Sequence, residues 1–280
     1  MIEINKFTFK YQNGNKTAVN DINLKIEDGG FVGIIGNSGA GKTTLTYAIN
    51  GVIPHHFKGD FYGEVLINGL DTVDNKPEIL SAIVGSVFQD VDAQMVASVV
   101  EDELLFGLEN FSVPKEEIEK RMTDALEKVG IRELRHRTIS SLSGGQKQKV
   151  AVAAIIALRP QIIVLDEPTG ELDPSSSRQL FEILRELNRE FGITIVVVEQ
   201  KIMLLCEYCK QLGVMEKGRL ACFGTVGEVM QNSAEQMQNM GINVPRIVTL
   251  YNALAEKNLY RGNIPVNVEA AKKMVEEALV

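Results

Sequence analysis

The 280-residue chain has no tryptophan, three cysteines and three histidines. Cys206 and Cys209 form a C-x-x-C, but a zinc site needs a second pair of ligands. Only Cys222, His55, His56 and His136 remain, at no matching spacing. The expectation is therefore two small apolar residues in a helix. His55 and His56, after Pro54, read as a polar loop pair rather than metal ligands. The chain also lacks a long basic run, and its formal net charge is −8, so nucleic acid is a poor choice of partner. The longest apolar stretch, Val150 to Leu158, falls well short of the roughly 20 residues a bilayer span requires, so direct membrane insertion is not expected. The N-terminus, MIEINKFTFK, alternates like a strand and lacks the apolar region of a signal peptide. These absences predict a soluble, intracellular chain that can still sit on a membrane partner. There is no internal repeat, low-complexity tract or heptad pattern.

The composition is 45% hydrophobic and 24% charged, ordinary for a globular protein, and the length suits one large domain with a small addition. Glu3 to Phe9 and Ala18 to Ile26 alternate as strands, and Phe31 to Ile35 is a short apolar run ending in glycine. A helix pattern covers Lys42 to Asn50, and Glu64 to Ile67 and Ser86 to Phe88 read as further strands. Ser112 and Pro114 are expected to open a helix with Ile118, Met122, Leu126 and Val129 inward, closed by Gly130. Ile162 to Leu165 is continuously apolar, which suits a parallel strand covered on both faces. Asp173 can cap the next helix, with Pro174 at its first position. Leu180, Ile183, Leu184, Leu187 and Phe191 form that helix's apolar face before Gly192 ends it. Thr194 to Val198 is another strand. Strands alternating with helices predict a mostly parallel α/β core. Residues 225–280 are helix-rich, with breaks at Pro245 and Pro265, and read as a small C-terminal extension.

Three stretches carry chemistry. Gly36 to Thr43 reads GNSGAGKT, after a strand and opening a helix, which is the context that supports a phosphate-binding loop. Its glycines let backbone N–H groups wrap phosphates, and the helix N-terminus adds a favourable dipole. Lys42 can neutralise the β- and γ-phosphates, and the Thr43 hydroxyl can ligate Mg²⁺. In IIVLDEP, Asp166 at a buried strand end is costly unless it serves a cation, and a hydrated Mg²⁺ would be that cation. Glu167, one residue on, is placed to polarise a water. Leu142 to Gln146 reads LSGGQ: Ser143 and two glycines at a helix start make a second anion-binding element. One ATP does not need two such helix starts from one chain, so this one is expected to serve a nucleotide held by another subunit.

Together and in this order, these stretches resemble the ATP-binding cassette (ABC) ATPases, over roughly residues 1–224. The resemblance implies an α/β fold of the P-loop NTPase class: an N-terminal antiparallel β subdomain, an inserted helical subdomain at about 91–160, and the 225–280 extension. It implies Mg²⁺ and ATP as ligands, with Tyr11 stacking on adenine and Gly36, Asn37, Ser38, Gly39, Ala40, Gly41, Lys42, Thr43 and Thr44 around the phosphates. It implies Mg²⁺ held by Thr43, Gln89 and Asp166, with Gln89 of VFQD also sensing the γ-phosphate and linking to a membrane partner. Ser143, Gly144, Gly145 and Gln146 would act on the partner's nucleotide in a head-to-tail sandwich, and Asp173 of GELDP would lie at the dimer seam. VEDELLFGLEN (Val100 to Asn110), GVIPHHFKGDFYGEVLING and the C-terminal segment are similar to the energy-coupling factor importers of the vitamin and cobalt type. That likeness implies a motor subunit peripheral on the inner face of the cell membrane. Its partners would be a second, non-identical cassette, a transmembrane coupling subunit and a substrate-binding membrane subunit. A DNA-acting cassette would carry long coiled-coil insertions and a ribosomal one two cassettes in one chain; this chain has neither. A regulatory ATP-binding module is the remaining alternative.

One position departs from the family pattern. The strand after the D-loop helix ends there in a switch histidine, and TIVVVEQK puts Gln200 on it; the last histidine in the chain is His136. A glutamine can donate a neutral N–H, but it cannot become cationic or shuttle a proton. Losing one charge-stabilising contact of this kind costs on the order of 10²–10³ in rate. The expectation is a slow site in this chain, with Glu167, Gln200 and Gln89 as its catalytic group, and an intact LSGGQ that completes a competent site for a different cassette.

Overall fold

The computed structural model describes residues 1–279. In chain order, β1 (Ile2–Tyr11), β2 (Val19–Ile26) and β3 (Phe31–Gly36) lead to α1 (Lys42–Ile49) and the short α2 (Val52–His55). Then come β4 (Gly59–Ile67), β5 (Leu70–Asp71), α3 (Pro77–Ser81) and β6 (Val84–Val87). A helical stretch follows: α4 (Val91–Gln94), α5 (Val100–Asn110), α6 (Lys115–Lys128) and α7 (Gly144–Leu158). The chain returns to sheet with β7 (Ile162–Asp166), α8 (Pro174–Phe191), β8 (Thr194–Val198), α9 (Ile202–Tyr208), β9 (Gln211–Glu216) and β10 (Arg219–Thr225). It continues with α10 (Val226–Asn239), α11 (Arg246–Glu256) and α12 (Val268–Ala278).

Two sheets result. The first is antiparallel, in the order β2-β1-β4-β5, and the second runs β10-β9-β3-β8-β7-β6. In the second sheet β9, β3, β8, β7 and β6 are parallel, and β10 pairs antiparallel at one edge. The expected α/β class and its antiparallel subdomain are both present. The inner strands are buried on both faces, which is why they read as unbroken apolar runs. Ile162 and Val164 pack with α1 and the antiparallel sheet, while Ile163 and Leu165 pack with α7 and α8. On one side of the parallel sheet lies a core with Phe7, Phe9, Ile22, Leu45 and Ile49; on the other lies a helical core with Leu104, Met122, Val150 and Phe181. Val226, Met230, Met237 and Val248 of the C-terminal helices belong to that second core, so this segment shares the main hydrophobic interior.

Asp173 caps α8 as its sequence suggests: the carboxylate accepts from the N–H of Ser175 and Ser176, Pro174 occupies the first turn, and Gly192 ends the helix in a left-handed conformation. Three local readings differ. Phe191 is 66% exposed, since it is the last helical residue and the chain turns away at Gly192; Lys128 lies over its ring. Ser112 does not open α6: it adopts φ +53° and its N–H bonds Glu109, closing α5, and Pro114 is the residue before α6 rather than inside it. Cys206 is buried in α9, and buried Cys209 lies just past its end in an extended conformation. Among the described residues no helix is long and apolar enough to cross a membrane.

Candidate functional site

The parallel strands β3, β6, β7 and β8 all point their carboxyl ends the same way, where open α/β sheets bind ligands. β3 delivers the Gly36–Thr43 loop. Asn37, Ser38 and Gly39 are exposed at its tip, while Ala40 and Lys42 are buried. Gly41 has φ +96°, and a Cβ there would sit 2.7 Å from the Ala18 carbonyl oxygen. Only glycine allows both this φ and this approach. The Lys42 ammonium donates to the carbonyls of Gly36 at 2.8 Å and Asn37 at 3.1 Å, across the mouth of the loop. The loop is braced from outside: the Gly218 N–H donates to Ala40 O at 3.0 Å, and the Asn37 amide donates to Met240 O at 2.5 Å, just past α10.

β7 ends at Asp166, which is 2% exposed. Neither carboxylate oxygen has a hydrogen-bond partner among the described residues. Burial pushes its pKa up; the nearby Thr43 hydroxyl opposes this from outside bonding geometry, the charge of Glu167 adds to it and Lys42 subtracts from it. A buried carboxylate without partners is a group that needs a cation or ordered water.

Glu167 follows in a left-handed conformation, φ +50°, with its N–H fixed to Val198 O at 2.8 Å. A non-glycine residue held there costs about 1–2 kcal/mol. Such strain persists only where surrounding structure dictates it, and it clusters at functional positions. Here it turns the carboxylate into the gap between β6 and β8. Gln89, just beyond β6, donates its amide to Glu167 Oε2 at 3.1 Å, and Gln200, just beyond β8, donates to Glu167 Oε1 at 2.8 Å. The structure thus brings Gln89, Glu167 and Gln200 together as a carboxylate clamped by two neutral amides. Each carboxylate oxygen keeps a further lone pair, so the group can still accept from water.

Tyr11, at the end of β1, reaches the same region: its hydroxyl lies 3.1 Å from Thr44 Oγ1 in α1. Its ring packs edge-on against Phe9 and Phe57. Phe57 also stacks on Tyr47, which meets Phe88 beside Gln89. Sequence reasoning picked out Tyr11 alone. The aromatic spacing of Tyr47, Phe57 and Phe88 gives no single-sequence signal, because the three lie on separate elements.

Ser143 and Gln146 close a reciprocal capping box at the start of α7. Among the described residues no hydrogen bond joins this helix start to the Gly36–Thr43 loop. Both face a cleft of about 950 Å³, lined by Thr43, Tyr47, Gln89, Gly144, Glu167 and Glu171 among others. Lys147, next after Gln146, reaches Asp92 of α4 at 2.6 Å across this cleft. Exposed Asp173 has its carboxyl held below the ordinary range by the Ser176 hydroxyl and the neighbouring backbone N–H groups.

The ABC transporter family profile matches residues 19–170. A putative ABC transporter ATP-binding protein of Pyrococcus abyssi is 38% identical over 93% of this chain and 93% of its own length. The chain belongs to the ABC transporter ATPase family. It is an ATP-binding cassette and an ATPase by that membership. A putative HMP/thiamine import ATP-binding protein of Bacillus subtilis, YkoD, is 34% identical over 98% of this cassette, which spans 51% of YkoD. The cassette likewise spans about half the length or less of several other curated relatives. Among solved structures, CbiO1 of Clostridium perfringens, described as part of the ABC transporter complex CbiONQ, superposes with a TM-score of 0.74 at 32% identity. That match covers 90% of this cassette and 98% of CbiO1.

Proposed function

We propose that this cassette is the ATP-hydrolysing motor subunit of an energy-coupling factor type membrane importer, and that its own site is slow. The observation that carries the reading is the Glu167 carboxylate, held oxygen by oxygen between the amides of Gln89 and Gln200 at the edge of the phosphate loop. The Gly36–Thr43 backbone and Lys42 cradle the ATP phosphates, Thr44 lies at the helix start and Tyr11 offers its ring to adenine. Glu167 orients and polarises the attacking water. Gln89 and Gln200 hold the carboxylate's direction, and Gln200 donates a neutral N–H toward the transferring phosphoryl group.

The residues present fit a magnesium ion. Asp166 presents two buried oxygens without partners among the described residues, the Thr43 hydroxyl lies near them, and Thr43 and Gln89 line the cleft of about 950 Å³. One carboxylate with neutral oxygen donors suits Mg²⁺, which keeps several of its waters. When bound, the ion would neutralise negative charge on the phosphates.

Gln200 separates this cassette from a self-sufficient one, because its own side chain cannot take on positive charge and the neighbouring Lys201 ammonium is engaged by Thr169 O and Ser177 Oγ. The Ser143–Gln146 helix start, self-capped and glycine-rich, is proposed to cover phosphates held by a second, non-identical cassette, with Asp173 at the seam. The likeness to CbiO1 and YkoD supports a transmembrane coupling subunit and a substrate-binding membrane subunit as further partners, with the cassette peripheral on the inner membrane face. Residues 1–224 would form the nucleotide-binding domain, with 91–160 as its helical subdomain and 225–280 as an extension. The test is purification of the tagged chain from detergent-extracted membranes, with mass spectrometry of what accompanies it. A multi-span membrane protein and a different cassette are expected. Recovery of the chain alone, or with only further copies of itself, contradicts the proposal.

A further inference from the structure

Gln200 stands between two charged residues, and both are fastened to one loop. Glu199 is 2% exposed, although it carries a carboxylate. Its Oε1 accepts from the backbone N–H of Gln200 at 2.8 Å and of Lys201 at 3.2 Å. Its Oε2 accepts from the hydroxyl of buried Thr169 at 2.5 Å. Its own N–H donates to Ile34 O at 3.1 Å, on the strand that leads into the phosphate loop. On the other side of Gln200, the Lys201 ammonium donates to Thr169 O at 2.8 Å, to Ser177 Oγ at 3.2 Å and to Leu172 O at 3.5 Å. The loop from Thr169 to Leu172 runs between Glu167 and Asp173. It is therefore gripped twice, once from within by Glu199 and once from the rim by Lys201.

A buried carboxylate with no cation among its hydrogen-bond partners is an expensive way to end a strand. A serine or asparagine could cap the same N–H groups at lower cost. What the carboxylate adds is three converging, charge-strengthened hydrogen bonds that fix the backbone of Gln200 relative to Thr169. Thr169 is two residues from Glu167. The Gln200 amide and the carboxylate it meets at 2.8 Å are in this way set on one rigid frame.

We infer that Glu199 and Lys201 are positioning residues, which latch the tip of β8 onto the Thr169–Leu172 loop so that the Gln200 amide meets Glu167. This rests on the proposed roles of Glu167 and Gln200. It also gives the loop that ends in Asp173 a direct mechanical connection to the γ-phosphate side of the site.

The test is a double-mutant cycle on the full-length chain, read as labelled phosphate released from [γ-32P]ATP over hours. Glu199→Ala lowers kcat by about 10–100-fold, the scale of misplacing a catalytic group by roughly 1 Å, and leaves KM for ATP nearly unchanged. In a Gln200→Ala background the same substitution has little further effect, because it acts through Gln200. Glu199→Gln restores most of the rate, since its carbonyl can accept both N–H groups and its amide can donate to Thr169 Oγ1. Where Glu199→Ala fails to fold, Thr169→Val removes one hydrogen bond without changing shape; it lowers kcat with the same non-additivity. Effects of Glu199→Ala, or of Thr169→Val, that multiply with Gln200→Ala, or a full rate in both, overturn the latch. Failure of the underlying reading looks different: Glu167→Gln keeps the full rate, or the unmodified chain releases no labelled phosphate at all.

Discussion

Replacing Asp166 with asparagine should stabilise the nucleotide-free protein and, in the same variant, weaken its response to MgATP. Asp166 is 2% exposed and neither of its oxygens is hydrogen-bonded among the described residues. A buried charged group in that state costs upward of about 1–3 kcal/mol. Lys42 and the Thr43 hydroxyl recover part of the cost by proximity. Asparagine has nearly the same shape and no charge, but leaves one polar amide to satisfy, so the expected gain is about 1–2 kcal/mol. Each kcal/mol moves the unfolding midpoint of a chain this size by about 2–4 °C, so Tm should rise by about 2–8 °C. MgATP at roughly a hundredfold over its Kd adds about 2.7 kcal/mol to a protein that binds it. Asp166→Asn should lose most of that increment, while ATP with a chelator shifts both proteins alike. Differential scanning fluorimetry in the three conditions reads both effects. A variant less stable than the parent without nucleotide, or one with an undiminished MgATP shift, refutes the reasoning that Asp166 is an unsatisfied charge waiting for a cation.

Gly41→Ala should be destabilising by about 1–3 kcal/mol in urea unfolding and should abolish ATP binding, because φ +96° and the Ala18 carbonyl leave a Cβ no unstrained position. Asn188→Ala should cost about 1–3 kcal/mol, since its buried amide donates to the carbonyls of Gly29, Gly30 and Ile193; a change in the urea midpoint within error of the parent would contradict this. In the helical segment, Arg135 holds the Glu119 carboxyl down at about 2 from an ordinary 4.5. A depressed carboxyl stabilises fully above its unfolded pKa and loses that contribution as pH falls through the folded one. Arg135→Met should therefore flatten stability against pH between about 4.5 and 2, read as Tm across an acid series.

Much of the fold can be read from periodicity, and the reasons are local. β1 and β2 alternate because one face of their sheet is solvated, and β7 and β8 are unbroken because both faces are covered. The Asp173–Pro174 start and Gly192 stop of α8 depend on residues within one turn. Phe191 kept the helical spacing but lost its burial, because spacing does not say where the chain leaves the surface it covers. β9 and β10 gave no reading of their own: β9 is a strand by virtue of pairing with β3, far away in the sequence. In the site, GNSGAGKT, LDEP and LSGGQ are contiguous and legible. The two amides on Glu167 come from residues 78 and 33 positions away, so the grouping of Gln89, Glu167 and Gln200 followed from the family resemblance, while the clamp they make did not. Glu199 and Lys201 were in plain view beside Gln200, and the signal was a carboxylate directly after the apolar run Ile195–Val198. What the sequence could not supply was Thr169 as its partner.

The central claim is that Gln200 makes this site slow. The measurement is kcat for ATP hydrolysis by the purified chain before and after Gln200→His, with Glu167→Gln as the inactive control. A rise on the order of 10²–10³ in kcat is expected, with KM little changed, because the substitution supplies a contact that strengthens only as charge develops on the phosphoryl group. Fast turnover by the unmodified chain alone, or no gain from the histidine, contradicts the account.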